Sequence, residues 1–495
     1  MVTTYTRPTD WLAMPTIGTQ EFIGLLAIHN DSSNHIALLC AGAYTVDWGD
    51  GVVENIATGV KAQHTYTYSA ISDGTISTLG YKQVLVRVTP QAGQNLTSIN
   101  LQQTTTAMAK FHTTGWLELS INGSNITSLV LGNSTTMLGM CEKVTIGSLG
   151  AITSFLDLFR GFYSLKSVSL SSTSTVVNFG RMFYDCRVLE SVPLFDTSSG
   201  TNFGGMFSSC NSIVSVPLFN TSKGTNFDTM FRYCHSLKTI PLFNTSLVTV
   251  FTSMFTDCKS LKTIPLLNTS SGTDFTNMFF GCNALKTIPL INTAAGTNFS
   301  GMFTSCGTLR TIPLINTAAG TNFSGMFASC GTLRSIPLIN TVSGTNFTTM
   351  FRICTRLESV PLLNTANGLT FNNMFESCQR LTSVPLFNFS KATTLSNTFA
   401  GCLSLQQIPE FNVPLCTNFT TPFNLSSLAK GKMTGSRYSI SYSGLCLSTN
   451  AIIDIFNGLG TAAGTQTVTV SSNPGYAALT AANRLIATSK GWTIA

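Results

Sequence analysis

Phenylalanine, methionine, cysteine and leucine recur along this chain with a period that an ordinary globular core does not impose. Cys186, Cys210, Cys234, Cys258, Cys282, Cys306, Cys330, Cys354, Cys378 and Cys402 follow one another every 24 residues without an insertion. A fixed interval of that length marks a repeat architecture. Each cysteine sits in a frame close to TNFxxMFxxCxxLKTIPLxNT, and residues 287–310 match 311–334 except for Thr304 against Ala328. Within one copy, Phe323, Met326, Phe327 and Cys330 are offset by 0, 3, 4 and 7 positions, which predicts one apolar stripe on a short helix. Leu333, Ile336 and Leu338 follow in an alternating pattern that predicts a strand.

One short helix and one strand then make one turn of an α/β solenoid. A 24-residue unit cannot bury its own apolar face, but stacked units share one interior. Turns about 4.8 Å apart would carry the ten cysteine-bearing copies over on the order of 50 Å, so an elongated stack is expected. An earlier copy is visible at Phe155, Leu158, Phe159, Phe162 and Leu165, with Phe162 in the cysteine slot. That exchange favours reading the cysteines as a ladder of small buried apolar residues over disulfide or metal roles, and no histidine accompanies them. Pro193, Pro217, Pro241, Pro265, Pro289, Pro313, Pro337, Pro361, Pro385 and Pro409 fall inside the predicted strands. Proline donates no ladder hydrogen bond, so the sheet is expected to be narrow or partly polyproline-like. Asn220, Asn244, Asn268, Asn292, Asn316, Asn340 and Asn364 suggest a structural asparagine ladder in the turn.

The unit MFxxCxxLxxIPLxNT, as in MFRYCHSLKTIPLFNT, resembles the BspA-like leucine-rich repeats of microbial surface proteins and phage open reading frames. The resemblance covers about half of the sequence and implies a leucine-rich-repeat solenoid over residues 151–425. Before it, the segment AYTVDWGDGVVENIATGVKAQHTYTY resembles immunoglobulin-like domains of the polycystic-kidney-disease (PKD) type through Val46, Trp48, Gly49, Asp50, Gly51, His64 and Tyr66. It implies an all-β sandwich over 20–92, preceded by an N-terminal arm at 1–19. Asp50-Gly51 suits a hairpin turn. Asp47 and Asp50 raise calcium as an alternative, although that hard cation normally recruits more oxygen ligands.

From 93 to 150 the pieces LTSINL, WLELSI, ITSLVL and CEKVTI predict irregular entry rungs or a cap. From 426 to 495 the expectation is an α/β capping region. Ser448 or Thr449 would cap a helix bearing Ile452, Ile455, Phe456 and Leu459, followed by the strand QTVTVS, a second helix and the terminal GWTIA. The ending TVTVSSNPG with IATSKGWTIA resembles the C-termini of bacterial and phage surface proteins that carry these repeats.

Composition narrows the function. Only 9% of the 495 residues are charged, so Ser, Thr, Asn and Gly must supply the polar surface, a bias more common in extracellular and virion proteins. A net charge of +7 is diffuse at this length and shows no dense basic run, so no nucleic-acid partner is expected. The start MVTTYTRPTDWLAMPTIG carries no signal-peptide pattern, and no window holds a membrane span.

Catalytic chemistry is not apparent. His29, His35, His64, His112 and His235 are scattered, and no metalloprotease, P-loop, nucleophile-elbow or dinucleotide motif is present. A glycan hydrolase would need two converging carboxylates, whereas Glu190, Glu358 and Asp274 occupy unrelated repeat positions. No enzyme activity, metal or cofactor is therefore expected.

One surface pattern stands out. Lys238, Lys262, Lys286, Arg310 and Arg334 share one repeat position, bounded by Glu190 and Glu358. They predict a basic stripe, either a solvated face or a contact for an anionic ligand. Strand alternation turns Thr239, Thr263, Thr287 and Thr311 to the concave surface near Phe243, Leu267, Ile291 and Ile315, an apolar ridge that either meets a neighbouring subunit or closes its own turn; closure is slightly favoured.

A surface protein with a leaderless start points to a bacteriophage virion, which leaves the cell by lysis. A tail fibre, receptor-binding appendage or head-decoration protein is expected, recognising host glycan or protein beside other virion proteins, with a homo-oligomer left open. A bacterial cell-surface adhesin is the second reading and a polysaccharide-degrading tailspike the third.

Overall fold

The computed structural model describes residues 5–31, 34–105, 115–132, 138–171 and 173–495; His112 and the first four residues of the expected arm lie outside them. The chain divides into two compact units, Met1–Val248 and Thr249–Ala495.

In the first unit, apolar alternation produces strands β1 (Gln20–Ile28), β2 (His35–Ala41), β3 (Tyr44–Asp47), β4 (Val53–Ile56), β5 (Lys61–Thr65), β6 (Lys82–Pro90), β7 (Ser98–Asn100), β8 (Trp116–Gly123), β9 (Ser128–Val130), β10 (Lys143–Leu149) and β11 (Ser167–Leu170). They form a seven-stranded sheet in the order β11-β10-β8-β1-β6-β3-β4 and a four-stranded sheet β5-β2-β7-β9. One sheet thus joins strands from 20–92 to strands from 93–150. β1 pairs antiparallel with both β6 and β8, and from β8 onward β10 and β11 add in parallel. β9 likewise adds in parallel to β7. The stack of parallel turns therefore grows from the edges of a folded antiparallel body.

Gly24 is required in β1 because a Cβ there would lie 2.2 Å from the Trp116 ring. The start of the chain is tied down by charge. Glu118, 2% exposed, meets Arg7 at 2.5 Å and Lys143 at 2.9 Å, and Arg7 also donates to the Trp11 and Leu12 carbonyls. Removing one member of a buried pair leaves an uncompensated charge, at about 3 kcal/mol. Glu118→Ala is therefore expected to loosen the arm, seen as faster hydrogen exchange at the Leu12 amide, which donates to Gln83; unchanged exchange would show that the arm is held by packing alone.

In both units the 24-residue copies form stacked turns, but the predicted helix is absent. In the second unit Phe323, Met326, Phe327 and Cys330 are all fully buried, so they share one inner side as a helical stripe would. The backbone differs. The amides of Phe323, Gly325, Phe327 and Ser329 donate to the next turn, at Asn346, Thr348, Met350 and Arg352, over 2.6–2.9 Å. The alternate amides of Met326, Ala328 and Cys330 bend back to carbonyls three residues earlier. Gly325 and Ser329 have φ of 63° and 59°, a left-handed conformation every fourth residue that no α-helix tolerates. The segment is a train of tight turns that hydrogen-bonds to its neighbour.

The predicted strand forms in the first copy, as β11, but not in the copy around Cys330. Leu333 and Ile336 point inward, but Leu338 is 60% exposed and Ile339 is buried. Pro337 supplies no N–H, and the Ile339 amide closes a tight turn onto the Pro337 carbonyl at 2.8 Å, which rotates the chain by one position. In most turns parallel pairing is reduced to a single bridge beside the TNF motif, such as Asn298 with Asn322 and Asn322 with Asn346. Phe243, in the first unit, and Leu267, Ile291 and Ile315, in the second, are each 1% exposed, so the ridge closes its own turn.

The asparagine ladder is replaced by a threonine ladder. Asn316 and Asn340 use their side chains locally, accepting the amide two residues on. The turn-to-turn bonds come from buried Thr269, Thr293, Thr317 and Thr341, whose hydroxyls donate to the Asn292, Asn316, Asn340 and Asn364 carbonyls. Thr317→Val keeps the shape but leaves the Asn340 carbonyl without its hydroxyl, and a loss of about 1–2 kcal/mol is expected in denaturant unfolding.

The second unit ends in β12 (Phe411–Asn412), β13 (Met433–Thr434), β14 (Ile440–Ser441), helix α1 (Thr449–Gly458), β15 (Gln466–Thr469), helix α2 (Ala481–Thr488) and β16 (Trp492–Ile494). Ser448 caps α1 by accepting from the Ala451 amide. β14, β15 and β16 form a parallel sheet, linked to the repeats through a parallel bridge from Phe419 to Ile440 and the stacked rings of Phe423 and Tyr442.

Candidate functional site on the outward face of the repeats

The inward residues are consumed by packing. Phe255, Phe279, Phe303, Phe327, Phe351, Phe375 and Phe399 stack with centroids 5.5–5.7 Å apart. A second column runs from Phe251 to Phe371 at 5.2–5.7 Å. The ten repeat cysteines, Cys186 to Cys402, are buried free thiols. Cys306, Cys330 and Cys354 each donate to a phenylalanine carbonyl of the preceding turn at 3.0 Å. Burial pushes the Cys354 and Cys402 thiols up to about 12, so they stay protonated and unreactive. Of the fourteen cysteines Cys446 alone is exposed. A thiol reagent is therefore expected to label Cys446 in the native protein and the other thirteen only on unfolding; rapid labelling of any repeat cysteine would contradict this packing.

The outward residues of the same turns lie outside this packed interior. In the second unit Lys262, Lys286, Arg310 and Arg334 are exposed at equivalent positions of successive turns, and the Arg310 amide donates to the Lys286 carbonyl at 3.2 Å. Arg334 is paired with Glu358 at 3.0 Å. Among the described residues no carboxylate lies within ion-pairing distance of Lys262, Lys286 or Arg310. Lys238 holds the equivalent exposed position in the first unit. Thr263, Thr287 and Thr311 are exposed beside the cations.

Four residues further along each turn lies a column that sequence reasoning assigned to the interior. Leu266, Leu290, Leu314, Leu338, Leu362 and Leu386 are 59–62% exposed. The first unit repeats the arrangement at Leu194, Leu218 and Leu242. Single exposed leucines are ordinary, but a contiguous exposed apolar column marks an interaction surface. The signal available in the sequence was Glu410, which occupies the leucine position in the next copy and is itself 60% exposed.

Other candidates are occupied locally. Asp47 and Asp50 accept the Gly49 and Val52 amides, and Asp50 also meets His64 at 2.7 Å, with the imidazole stacked on Trp48; these carboxylates build a turn. Asp274 accepts the Thr276 amide and hydroxyl. A shallow cavity of about 430 Å³ opens beside Thr420, Tyr438, Ser441 and Thr469, but neighbouring Ser439 and Gln466 are spent on each other. Among the described residues no helix is long and apolar enough to cross a membrane.

The geometry defines a class: a solenoid of 24-residue parallel turns with a dry aromatic and thiol interior and a patterned outer face. The chain belongs to the family described as Mycoplasma protein of unknown function, DUF285, whose model matches residues 153–266, 235–336 and 321–435, together more than half of its length. No curated protein matches it. Similar solved structures include a leucine-rich repeat protein from Eubacterium ventriosum, 16% identical over 63% of this chain and 91% of that one, with a TM-score of 0.32. Another is the functional domain of InlJ from Listeria monocytogenes, described as including a cysteine ladder, 12% identical over 67% of this chain and 70% of that one, with a TM-score of 0.21.

Proposed function

We propose that this chain is a non-enzymatic recognition protein that adheres to an anionic surface through the outward face of its repeats. The observation that carries the reading is the pairing of columns in the second unit: exposed Leu266, Leu290 and Leu314, part of a column of six leucines, share their turns with Lys262, Lys286 and Arg310, which have no carboxylate partner among the described residues. A solenoid needs neither for stability, since its turns are held by buried rings, thiols and backbone bonds. Asp274 and Glu358, two acidic residues of these turns, are engaged in a local turn and an ion pair, which supports binding without cleavage.

Purified full chain is expected to bind host cells saturably and to lose most of that binding when Lys262, Lys286 and Arg310 are changed together to Glu. Unchanged binding would reject this face, and release of oligosaccharides from host polysaccharide would reject the non-enzymatic reading. The setting is proposed to be the exposed surface of a virion, on the strength of the repeat's resemblance to those of phage open reading frames. Mass spectrometry of purified particles tests it, and detection only in a cell envelope would make the protein a bacterial adhesin.

A further inference from the structure

We infer that the leucine and basic columns of the second unit form one amphipathic ribbon that docks on an anionic lipid bilayer, a reading that deepens the surface function proposed above. The turns that begin at Lys262, Lys286, Arg310 and Arg334 present, in order, the cation, Thr or Ser, a buried Ile, a half-buried Pro and an exposed Leu. Leu266, Leu290, Leu314 and Leu338 each keep about three-fifths of their surface open. The cation lies four residues of extended chain away, about 13 Å, within reach of the same flat target. Lipid-surface binding draws on both elements, apolar side chains entering the acyl boundary and cations meeting anionic headgroups.

Other occupants account for one column but not both. A soluble polyanion would engage Lys262, Lys286 and Arg310 and leave six leucines in water. A second copy of the chain would bury the leucines and gain nothing from a row of like charges, whose only acidic neighbour in the column, Glu358, is already paired with Arg334. An extended polypeptide lying along the column would repeat its side chains about every 6.8 Å, and a helix rises about 5.4 Å per turn. Neither keeps step with leucines that recur once per turn, about every 4.8 Å. A fluid bilayer requires no register. Insertion would be shallow, since the Ile or Val and the residue after each Leu are fixed in the core.

The test is co-sedimentation of the full chain with phosphatidylcholine vesicles, with and without phosphatidylglycerol. Binding is expected only with the anionic lipid and should weaken with added salt. Changing Lys262, Lys286 and Arg310 to Glu should weaken it by at least about a hundredfold, at about fivefold for each positive charge lost near the surface, with the added carboxylates repelled further. Leu290→Ser, Leu314→Ser and Leu338→Ser combined should weaken it at least tenfold without changing the circular dichroism spectrum, because these side chains make little of the core. Anionic-vesicle binding that the serine variant retains in full would overturn the ribbon, as would no vesicle binding at all. A dimer in sedimentation velocity that the serine variant dissolves, with no vesicle binding, would assign the leucines to a second copy. Cell binding that survives while vesicle binding is absent sinks this inference alone; loss of both sinks the surface function as well.

Discussion

Phe303→Ala is expected to destabilise the second unit by about 3–5 kcal/mol, the usual cost of emptying a buried aromatic site. Phe303 is fully buried and stacks on Phe279 and Phe327, each 5.7 Å away and within 6° of parallel. In a stack, stability is a sum of terms within turns and between neighbours, so this one truncation weakens two interfaces. The cavity cannot collapse easily, because the Phe279 and Phe327 amides are pinned to the Met302 and Met350 carbonyls at 2.9 Å. Guanidinium unfolding of the full chain should show the loss, and hydrogen exchange should accelerate first at Phe279, Phe303 and Phe327. A change under about 1 kcal/mol would mean that the ring columns contribute little and that backbone bonding dominates.

Excision of residues 311–334 should leave a folded protein, whereas excision of 311–322 should abolish cooperative folding of the second unit. The first deletion joins Arg310 to Ser335 and preserves every column, since 287–310 and 311–334 differ only at Thr304 and Ala328. The second removes half a period. Phe323 would then follow Arg310, so the TNF segment would lie where the previous turn presents its Pro-Leu segment, and the bridge from Asn298 to Asn322 could not form. Register errors in a parallel ladder move whole columns to the wrong side. Circular dichroism and thiol labelling distinguish the outcomes: the first variant keeps its repeat cysteines protected and the second exposes them. Protection in both would show that the turns tolerate sliding.

Much of the interior was legible before any coordinates. The 24-residue interval, the apolar offsets from Phe323 to Cys330, and Phe162 in a cysteine slot identified the buried columns. The strand-like pieces between 95 and 146 each contain a strand, and the helix start at Ser448 was readable from its cap. The outer face was half legible: the basic column follows from residue type, while the leucine column was misassigned by extending strand alternation through Pro337. The threonine ladder also went unseen, although Phe389 replaces threonine in that column and is 1% exposed, the mark of an inward position.

The sequence by itself determined the period, the members of each column and the side of the chain on which the aromatic and thiol columns lie, because burial selects residue type at every copy. Only the tertiary structure decided the backbone between them. Side chains four residues apart share a side in an α-helix and in a train of four-residue turns alike, so spacing cannot separate the two. The choice rests with amides such as those of Phe323 and Phe327, whose acceptors lie 23 residues further along and come within reach only after the next turn has stacked.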